Sequence, residues 1–125
     1  MSRVRRALAV ALLLVAAAAC HDDGVRREQM VAGGDPERGR SLIPEYGCGS
    51  CHVIPGVRGA QGKVGPPLTH FAERSFIAGN LRNEPTALTH WIRFPNHVEP
   101  GTAMPNLGVT EAHARDIAAY LYTLR

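Results

Sequence analysis

The sequence predicts a mostly α-helical domain of three to four helices, separated by long loops rich in proline and glycine. Helix-capping residues stand before apolar residues at helical spacing near positions 35 and 110. No segment shows the alternation of apolar and polar residues that indicates a strand. The 125 residues include 13 Gly and 9 Pro but only 6% aromatic residues, so the side-chain core is expected to be thin. Small domains of this kind usually need disulfides, a metal or a bound cofactor for stability.

Residues 1–19 have the features of an export signal. Arg3, Arg5 and Arg6 precede an uncharged run, residues 7–19, that is too short to span a bilayer comfortably. Removing these three arginines lowers the count of basic residues from 14 to 11, which equals the 11 acidic residues. The balanced charge argues against nucleic-acid binding, which needs a basic face.

Cys20 directly follows this signal. The segment Ala17-Ala18-Ala19-Cys20 resembles a bacterial lipobox, although Ala17 replaces the usual leucine. The alternative is ordinary cleavage after Ala19, which leaves Cys20 as a thiol. Lipidation is favoured because a solitary exposed thiol is a liability in an oxidising compartment. We therefore expect an exported protein, in a periplasm or on an outer cell surface, tethered to a membrane through lipidated Cys20.

Residues 20–34 are interpreted as the lipid anchor and a flexible tether. The stretch His21–Gly34 is polar, mixed in charge and without apolar periodicity. Fully extended, it reaches about 45 Å. The folded domain is expected over residues 35–125.

The first helix of this domain is expected to begin with Asp35 as N-cap and Pro36 at the first helical position. Gly47 ends it, and Pro44 is expected to kink its last turn because proline lacks a backbone donor. The inward-facing residues are predicted to be Leu42, Ile43 and Tyr46.

Two further helices are expected nearer the carboxyl end. Asn83-Glu84-Pro85 opens one that runs through Thr86 to Phe94 and is ended by Pro95. Thr110 caps the terminal helix, with Glu111 in its first turn. Its apolar stripe is Ala114, Ile117, Ala118, Leu121 and Leu124. The rest of the domain is predicted to be irregular over 53–67 and 95–109, with a short helical segment over 69–77.

The motif Cys48-Gly49-Ser50-Cys51-His52 carries the chemistry of this chain. Two cysteines at i and i+3 followed at once by histidine form the attachment signature of c-type haem. Three alternatives are weaker. A thioredoxin-like motif needs a βαβ context, a zinc site needs a second ligand pair, and a local disulfide across the loop remains open.

A six-coordinate iron needs a second axial ligand. Met104 lies in the rigid segment Pro100-Gly101-Thr102-Ala103-Met104-Pro105 and is the favoured candidate. His97 is the nearest rival, and a buried gap-filling role is the alternative for Met104. Less favoured side chains are Met30, His21, His70, His90 and His113.

Residues 35–125 resemble a class I c-type cytochrome. The matching pieces, in order, are Gly39-x-x-x-Ile43-x-x-Tyr46-Gly47-Cys48-x-x-Cys51-His52, Gly65-Pro66-x-Leu68, Pro100-Gly101-Thr102-x-Met104 and the amphipathic terminal helix. The sequence from Trp91 to Val109 is most similar to cytochrome c modules attached to or working with haem-copper oxidases.

The resemblance implies one haem c, linked through Cys48 and Cys51, with His52 and Met104 as axial ligands. The carbonyl of Pro66 would accept the other ring N–H of His52. Three further roles are implied. Leu68 would pack on the haem, Arg74 would lie near a propionate or be an exposed helix cation, and Trp91 would line the pocket or pack in the core. The terminal helix would cross the first helix at Gly39, with Tyr120 or Tyr122 at the crossing.

An iron with both axial positions filled favours electron transfer over catalysis or oxygen binding. We therefore expect an electron carrier with no small-molecule substrate, whose partners are membrane respiratory complexes such as a terminal oxidase. Two alternatives stay open. One is a haem-based gas sensor or enzyme with a labile Met104, and the other is a permanent cytochrome subunit of an oxidase or dehydrogenase complex.

Overall fold

The computed structural model describes residues 29–125, a mostly helical domain with four α-helices and one two-stranded sheet. The predicted fold class is confirmed. The predicted signal, Cys20 and residues 21–28 lie outside the described residues. In chain order the elements are α1 (Pro36–Glu45), a 3-10 turn (Cys48–Ser50), a second 3-10 turn (Phe71–Glu73), β1 (Phe76–Ile77), β2 (Leu81–Arg82), α2 (Pro85–Arg93), α3 (Pro95–Val98) and α4 (Glu111–Leu121).

Helix α1 begins and ends where its sequence signals predict. The side chain of Asp35 accepts hydrogen bonds from the backbone N–H groups of Glu37 (2.9 Å) and Arg38 (3.0 Å), which have no partner inside the helix. The helix continues through Pro44 to Glu45, and Gly47 follows with a positive φ of 72°. Its apolar side chains Leu42 and Ile43 are buried, and Tyr46 is half-buried.

Helices α1 and α4 cross in close contact at Gly39. A Cβ added to Gly39 would overlap the backbone carbonyl of Asp116 and lie 2.9 Å from the N of Ile117. Only a residue without a side chain permits this approach, as the sequence analysis expects. Tyr120 and Tyr122 are both buried in the core, and their hydroxyl groups donate to Pro55 O and Asn83 Oδ1. The predicted packing of one of these tyrosines at the crossing stays a prediction.

The carboxylate of Asp116 stabilises the same helix crossing through an ion pair and hydrogen bonds. Its carboxylate accepts hydrogen bonds from Arg38 Nε (2.9 Å), Arg38 Nη2 (2.9 Å) and the backbone N–H of Asp35 (2.8 Å). The guanidinium of Arg38 holds the pKa of Asp116 below its ordinary value. A charged side chain is therefore buried between two helices with its oxygen atoms satisfied.

The helix expected over 69–77 is largely absent, which corrects the sequence analysis. Only Phe71–Glu73 forms a 3-10 turn, and Phe76–Ile77 pairs antiparallel with Leu81–Arg82 as a short hairpin. The connection turns because Ala78 and Gly79 both adopt positive φ. Strands of two residues are too short to show an alternating pattern, and the sequence therefore gave no strand signal here.

The loop expected over 95–109 also contains a helix. Pro95 ends α2 at Arg93, as predicted, but it also starts the short helix α3, Pro95–Val98. Proline has no N–H to lose at a first helical position, so the same residue can stop one helix and begin the next.

The core lies mainly between α1, α2 and α4. It buries the stripe of α4 predicted from the sequence, except that Leu124 is only partly buried. Loop residues Ile54 and Ala60 and the 3-10 residues Phe71 and Ala72 complete this core. Within residues 29–125 no helix has the length and apolar character needed to cross a membrane.

Gln29 and Val31 pack on the domain, although the sequence analysis assigns them to the tether. Gln29 is only 9% exposed, and its side chain bonds to Ala72 O and Arg125. Val31 packs against the core. The packed part of the chain therefore begins before the predicted boundary at Asp35. These partners are remote in sequence, so local composition carried no sign of them.

Candidate functional site

The motif Cys48–His52 forms a tight turn held by its own backbone. The N–H groups of Cys51 and His52 both donate to the carbonyl of Cys48, at 3.2 and 3.1 Å. The hydroxyl of Ser50 donates to Gly47 O at 2.7 Å. The turn places two thiols and one imidazole within five residues.

The two cysteines of this turn are half-buried and are not joined to each other. Burial raises the pKa of the Cys48 thiol above its ordinary value. Neither sulfur atom is engaged in a disulfide within residues 29–125, so both are available for a covalent link.

His52 is oriented by a backbone carbonyl. Its Nδ1 lies 2.8 Å from Pro66 O. A carbonyl oxygen can only accept, so Nδ1 carries the proton and donates it. In the neutral ring this leaves the lone pair on Nε2, which is the arrangement of a metal-binding histidine.

Glycines in the following loop let its backbone approach the motif closely. A Cβ added at Gly65 would overlap the His52 ring, with Nδ1 at 2.7 Å. A Cβ at Gly62 would overlap the backbone of Ser50 and Cys51, and one at Gly49 would lie 2.7 Å from Ala60 Cα. The N–H of Gly65 also donates to Cys51 O at 2.8 Å. The sequence analysis missed the roles of Gly49 and Gly62, for which the glycine content of the loop was the only sign.

Leu68 and Arg74 lie around the loop that orients His52. The N–H of Leu68 donates to Val53 O at 2.8 Å, and its side chain packs against the core. Arg74 Nη2 donates to Pro67 O and, at 3.3 Å, to Thr69 O. Arg74 follows a 3-10 turn with extended backbone, so it is not the exposed helix cation of the alternative interpretation. Its predicted place near a propionate stays a prediction.

Met104 and Trp91 are half-buried on other segments. The backbone N–H of Met104 donates to Thr102 Oγ1 at 3.2 Å, which stabilises the bend of its loop. Trp91 packs against the core from α2. Among residues 29–125 no hydrogen bond or ring contact joins either side chain to His52.

The rival histidines each have another neighbour. His97 stacks on Phe94, with ring centroids 5.5 Å apart, and His90 lies 5.4 Å from the same ring. His70 Nδ1 lies 3.3 Å from Glu73, and His113 Nδ1 lies 2.7 Å from Tyr46 Oη. Met30 is 76% exposed. The assignment of Met104 as the second ligand stays a prediction.

The loop after His52 is fastened to both crossing helices, a feature that sequence reasoning missed. Tyr120 Oη on α4 donates to Pro55 O at 2.6 Å, and Arg40 Nε on α1 donates to Gly56 O at 3.0 Å. The isolated pairing of Val53 with Gln61 closes the loop. Helices and motif are therefore connected by hydrogen bonds across long stretches of sequence.

Comparison with known proteins decides the family. The model of the cytochrome c family matches residues 36–125. The chain belongs to the cytochrome c family. The resemblance to class I c-type cytochromes associated with oxidases is thereby confirmed. Cytochromes c are haem-based electron-transfer proteins, generally carriers and not enzymes.

Three curated relatives are cytochrome c oxidase subunits 2. The subunit of Alkalihalophilus pseudofirmus is 36% identical over 89 residues, covering 70% of this chain and 25% of the relative. Those of Bacillus sp. PS3 and Bacillus subtilis are 34% and 30% identical, covering 62% of this chain and 23% and 24% of the relatives. The cytochrome c chain thus spans about a quarter of the length of these relatives. No solved structure matches it significantly.

The residues of the cytochrome c domain fit a haem c group. Two cysteines that are not joined to each other stand beside a histidine whose Nε2 is left for a metal, because Nδ1 faces Pro66 O. Within residues 29–125, the His, Cys, Asp and Glu side chains alone form no cluster of three or more that could hold a metal ion.

Proposed function

We propose that this cytochrome c domain binds one haem covalently and carries electrons between membrane respiratory complexes outside the cytoplasm. The observation that carries the proposal is the bond between His52 Nδ1 and Pro66 O beside two available thiols. When bound, haem c supplies an iron that alternates between the ferrous and ferric states.

Cys48 and Cys51 would hold the group and His52 would be its proximal ligand. The 2.8 Å bond to Pro66 O keeps the His52 tautomer and ring direction constant, and it raises the basicity of Nε2. Gly65 and Gly62 keep the loop packed on this motif, so the imidazole has little room to turn. A ligand that does not move between oxidation states suits rapid electron transfer.

Met104 would be the second ligand. Its loop is bent by the bond to Thr102 and flanked by Pro100 and Pro105, which restrict the backbone. A thioether ligand raises the reduction potential of a c-type centre. With His52 and Met104 both binding the iron, no open site would remain for a substrate or for oxygen.

A terminal oxidase is the favoured electron partner. The relatives that match the cytochrome c domain are named as cytochrome c oxidase subunits 2, and the matching part is about a quarter of each. Lys63 is the only lysine of this chain. Docking would therefore depend on arginines or on apolar contact, for which Val64 (72% exposed) and Leu107 (40% exposed) are available.

The same relatives support a second candidate, a cytochrome subunit held permanently in an oxidase complex. The two candidates differ in how the native protein purifies. A carrier is expected to separate from the oxidase during mild detergent extraction and gel filtration. A permanent subunit would co-elute with the oxidase at constant stoichiometry.

Export and anchoring complete the proposal. The basic and apolar residues of 1–19 support export, and Cys20 in its Ala-Ala-Ala-Cys context supports lipidation. Mass spectrometry of the native protein would test both. A diacylglycerol-modified Cys20 at the N-terminus is expected, whereas an unmodified Cys20 would refute the anchor.

The ligand set is tested by replacing Met104 in the haem-loaded protein. We expect Met104→Ala to abolish the weak ferric sulfur-to-iron charge-transfer band and to lower the reduction potential, because the thioether is lost. Met30→Ala is the matched control, since Met30 is 76% exposed and away from the motif. Retention of the band in Met104→Ala, or its loss in Met30→Ala, would refute the assignment.

A further inference from the structure

An open groove of about 1340 Å³ lies on the surface of the domain, and Arg74, the predicted neighbour of a haem propionate, is one of the residues that line it. Its walls come from residues 29–32, 72–75 and 82–86 and from parts of α2 and α4. Neither the Cys48–His52 motif nor Met104 lines it. We call this surface the arginine groove, after its five arginines: Arg74, Arg82, Arg93, Arg115 and Arg125.

The arginine groove carries a net positive charge. Its acidic residues are three glutamates, Glu73, Glu84 and Glu111. Glu111 is already paired with Arg93 at 3.6 Å and with Arg115 at 2.6 Å. Outside the groove the described chain has four basic and five acidic residues, so the positive charge is local to this face.

Arg82 is the most available of these cations. It is exposed and makes no ion pair or side-chain hydrogen bond within residues 29–125. Arg125, also exposed, donates only to the neutral amide of Gln29. Their charges are therefore not neutralised by the domain itself.

Two exposed apolar side chains lie beside these cations. Met30 lines the groove and is 76% exposed, and Phe76 is 58% exposed. In the hairpin Phe76 stands directly opposite Arg82, so the two side chains project from the same face. Apolar side chains next to unneutralised cations are typical of surfaces that bind anionic membranes, where the apolar groups insert and the cations meet headgroups.

Gln29 places the start of the domain at the same groove. Its amide donates to Ala72 O at 2.5 Å and accepts from Arg125 Nη2 at 3.1 Å. The nine residue steps from Cys20 to Gln29 span at most about 30 Å. If Cys20 is lipidated, a step that rests on the anchor proposed above, the tether joins the domain at this face and keeps the face within reach of the bilayer.

We propose that the arginine groove docks the domain on an anionic lipid bilayer, with phosphate headgroups at Arg82 and Arg125 and with Phe76 and Met30 in the interface. The segments around His52 and Met104 lie outside the groove and stay available to a redox partner. Docking would restrict the orientation of the domain, which a tether alone does not do.

The test uses the haem-loaded mature chain, residues 20–125, with Cys20→Ser, so that neither the apolar signal nor a lipid anchor contributes. Binding is measured by sedimentation with vesicles of phosphatidylcholine alone and with vesicles in which about a third is phosphatidylglycerol. We expect binding only to the anionic vesicles, and its loss as salt rises from about 0.05 to 0.5 M. Equal binding to both vesicle types, or none to either, would overturn the proposal.

Matched variants in that background locate the surface. Arg82→Glu should weaken binding about tenfold, whereas Arg58→Glu, an exposed arginine outside the groove, should leave it unchanged. Phe76→Ser should weaken it severalfold and Val64→Ser should not. If Arg58→Glu weakened binding as much as Arg82→Glu, the effect would be one of net charge and the proposal would be wrong.

Different results would refute the lipid-docking proposal and the proposed electron-transfer function. Sedimentation needs no redox activity, and an unchanged haem spectrum shows that each variant is folded. If Arg82→Glu slowed electron transfer to a detergent-solubilised oxidase without affecting vesicle binding, the groove would be a protein-docking surface and lipid docking would be refuted. Absence of covalent haem would refute the proposed function and leave the vesicle result standing.

Discussion

Pro66 decides which nitrogen of His52 can bind a metal, and Gly65 decides where that ring lies. The carbonyl takes the proton of Nδ1, while the missing side chain of Gly65 leaves space that the imidazole occupies. These are contacts of single atoms, so single substitutions should disturb them without changing the fold.

Gly65→Ala should displace the His52 ring. The added Cβ would lie 2.7 Å from Nδ1, so the ring or the loop must shift, at a cost of about 1–3 kcal/mol. We expect a lower free energy of unfolding and an altered haem spectrum, both measured on the haem-loaded protein. Gly33→Ala is the control, because its Cβ meets open space and adds backbone strain alone. An unchanged spectrum in Gly65→Ala would contradict this role.

Asp116→Asn should destabilise the protein by about 2 kcal/mol. The buried carboxylate accepts two bonds from Arg38 and one from Asp35, and a neutral amide cannot accept all three. Urea unfolding measures the loss, and Glu99→Gln, at an exposed carboxylate, serves as the control. A loss no larger than in Glu99→Gln would show that the bonds contribute little.

The pair of Asp116 and Arg38 makes the free energy of unfolding depend on pH, and the direction follows from the pKa of Asp116. The pKa of Asp116 is lowered in the folded protein, chiefly by the hydrogen bond from Arg38. Its contribution to stability is therefore complete above the unfolded value of about 3.9, and it is lost as the pH falls through the lower folded value. The stability difference between wild type and Asp116→Asn should thus shrink below about pH 4. A difference that grows on acidification would have the wrong sign.

The contact between α1 and α4 depends on the absence of a side chain at Gly39, and this matters more for stability than the low helix propensity of glycine. Gly39→Ala would favour α1 by about 1 kcal/mol if the site were exposed. The Cβ would instead overlap the Asp116 carbonyl, so α1 and α4 must separate. We expect a net loss of at least about 2 kcal/mol in thermal or urea unfolding. Ser41→Ala, on the exposed face of α1, should be nearly neutral. Any gain of stability in Gly39→Ala would refute the close crossing.

Helices α1, α2 and α4 could be predicted because their signals are local, whereas α3 could not. Asp35, Pro36, Pro85 and Thr110 each act on the residues that follow within one turn. The hairpin at Phe76 could not, since a two-residue strand has no periodicity and depends on a turn at Ala78 and Gly79.

The site could be predicted only as far as its motifs extend. The Cys48–His52 turn and the role of Pro66 were named from short matches, and the structure places His52 beside Pro66. The bonds of Tyr120 to Pro55 and of Gln29 to Ala72 join residues 65 and 43 positions apart, and no local pattern announces them. Long-range polar contacts of this kind arise from packing, which the sequence does not display.

At the scale of the whole molecule, the loop over residues 53–67 depends on its contacts with the Cys48–His52 motif, because few side-chain contacts hold it to the helices. The loop over 53–67 contains no helix or named strand, and it is held by glycine contacts with the motif and by two side-chain bonds from the helices. A domain with so much irregular backbone is expected to gain much of its stability from the bound group.

Loss of Cys48 and Cys51, the proposed haem-attaching cysteines, should therefore lower the stability of the whole domain. We expect Cys48→Ala/Cys51→Ala to lower the free energy of unfolding by at least about 3 kcal/mol, because the group that binds the folded state is no longer retained. Circular dichroism during thermal unfolding measures this. Cys20→Ser, which keeps the motif, is the control. Equal stability of the double variant would show that the side-chain core alone supports the fold.

The most direct test of the electron-carrier proposal is the absorption spectrum of the haem-loaded protein, oxidised, reduced, and reduced under carbon monoxide. We expect a covalently retained c-type haem, a sulfur-to-iron charge-transfer band in the ferric form, and no change on adding carbon monoxide, because in the proposed ligand set His52 and Met104 would both bind the iron. Ready binding of carbon monoxide by the unmodified protein would reveal an open iron site and contradict the electron-carrier assignment in favour of a gas sensor or enzyme.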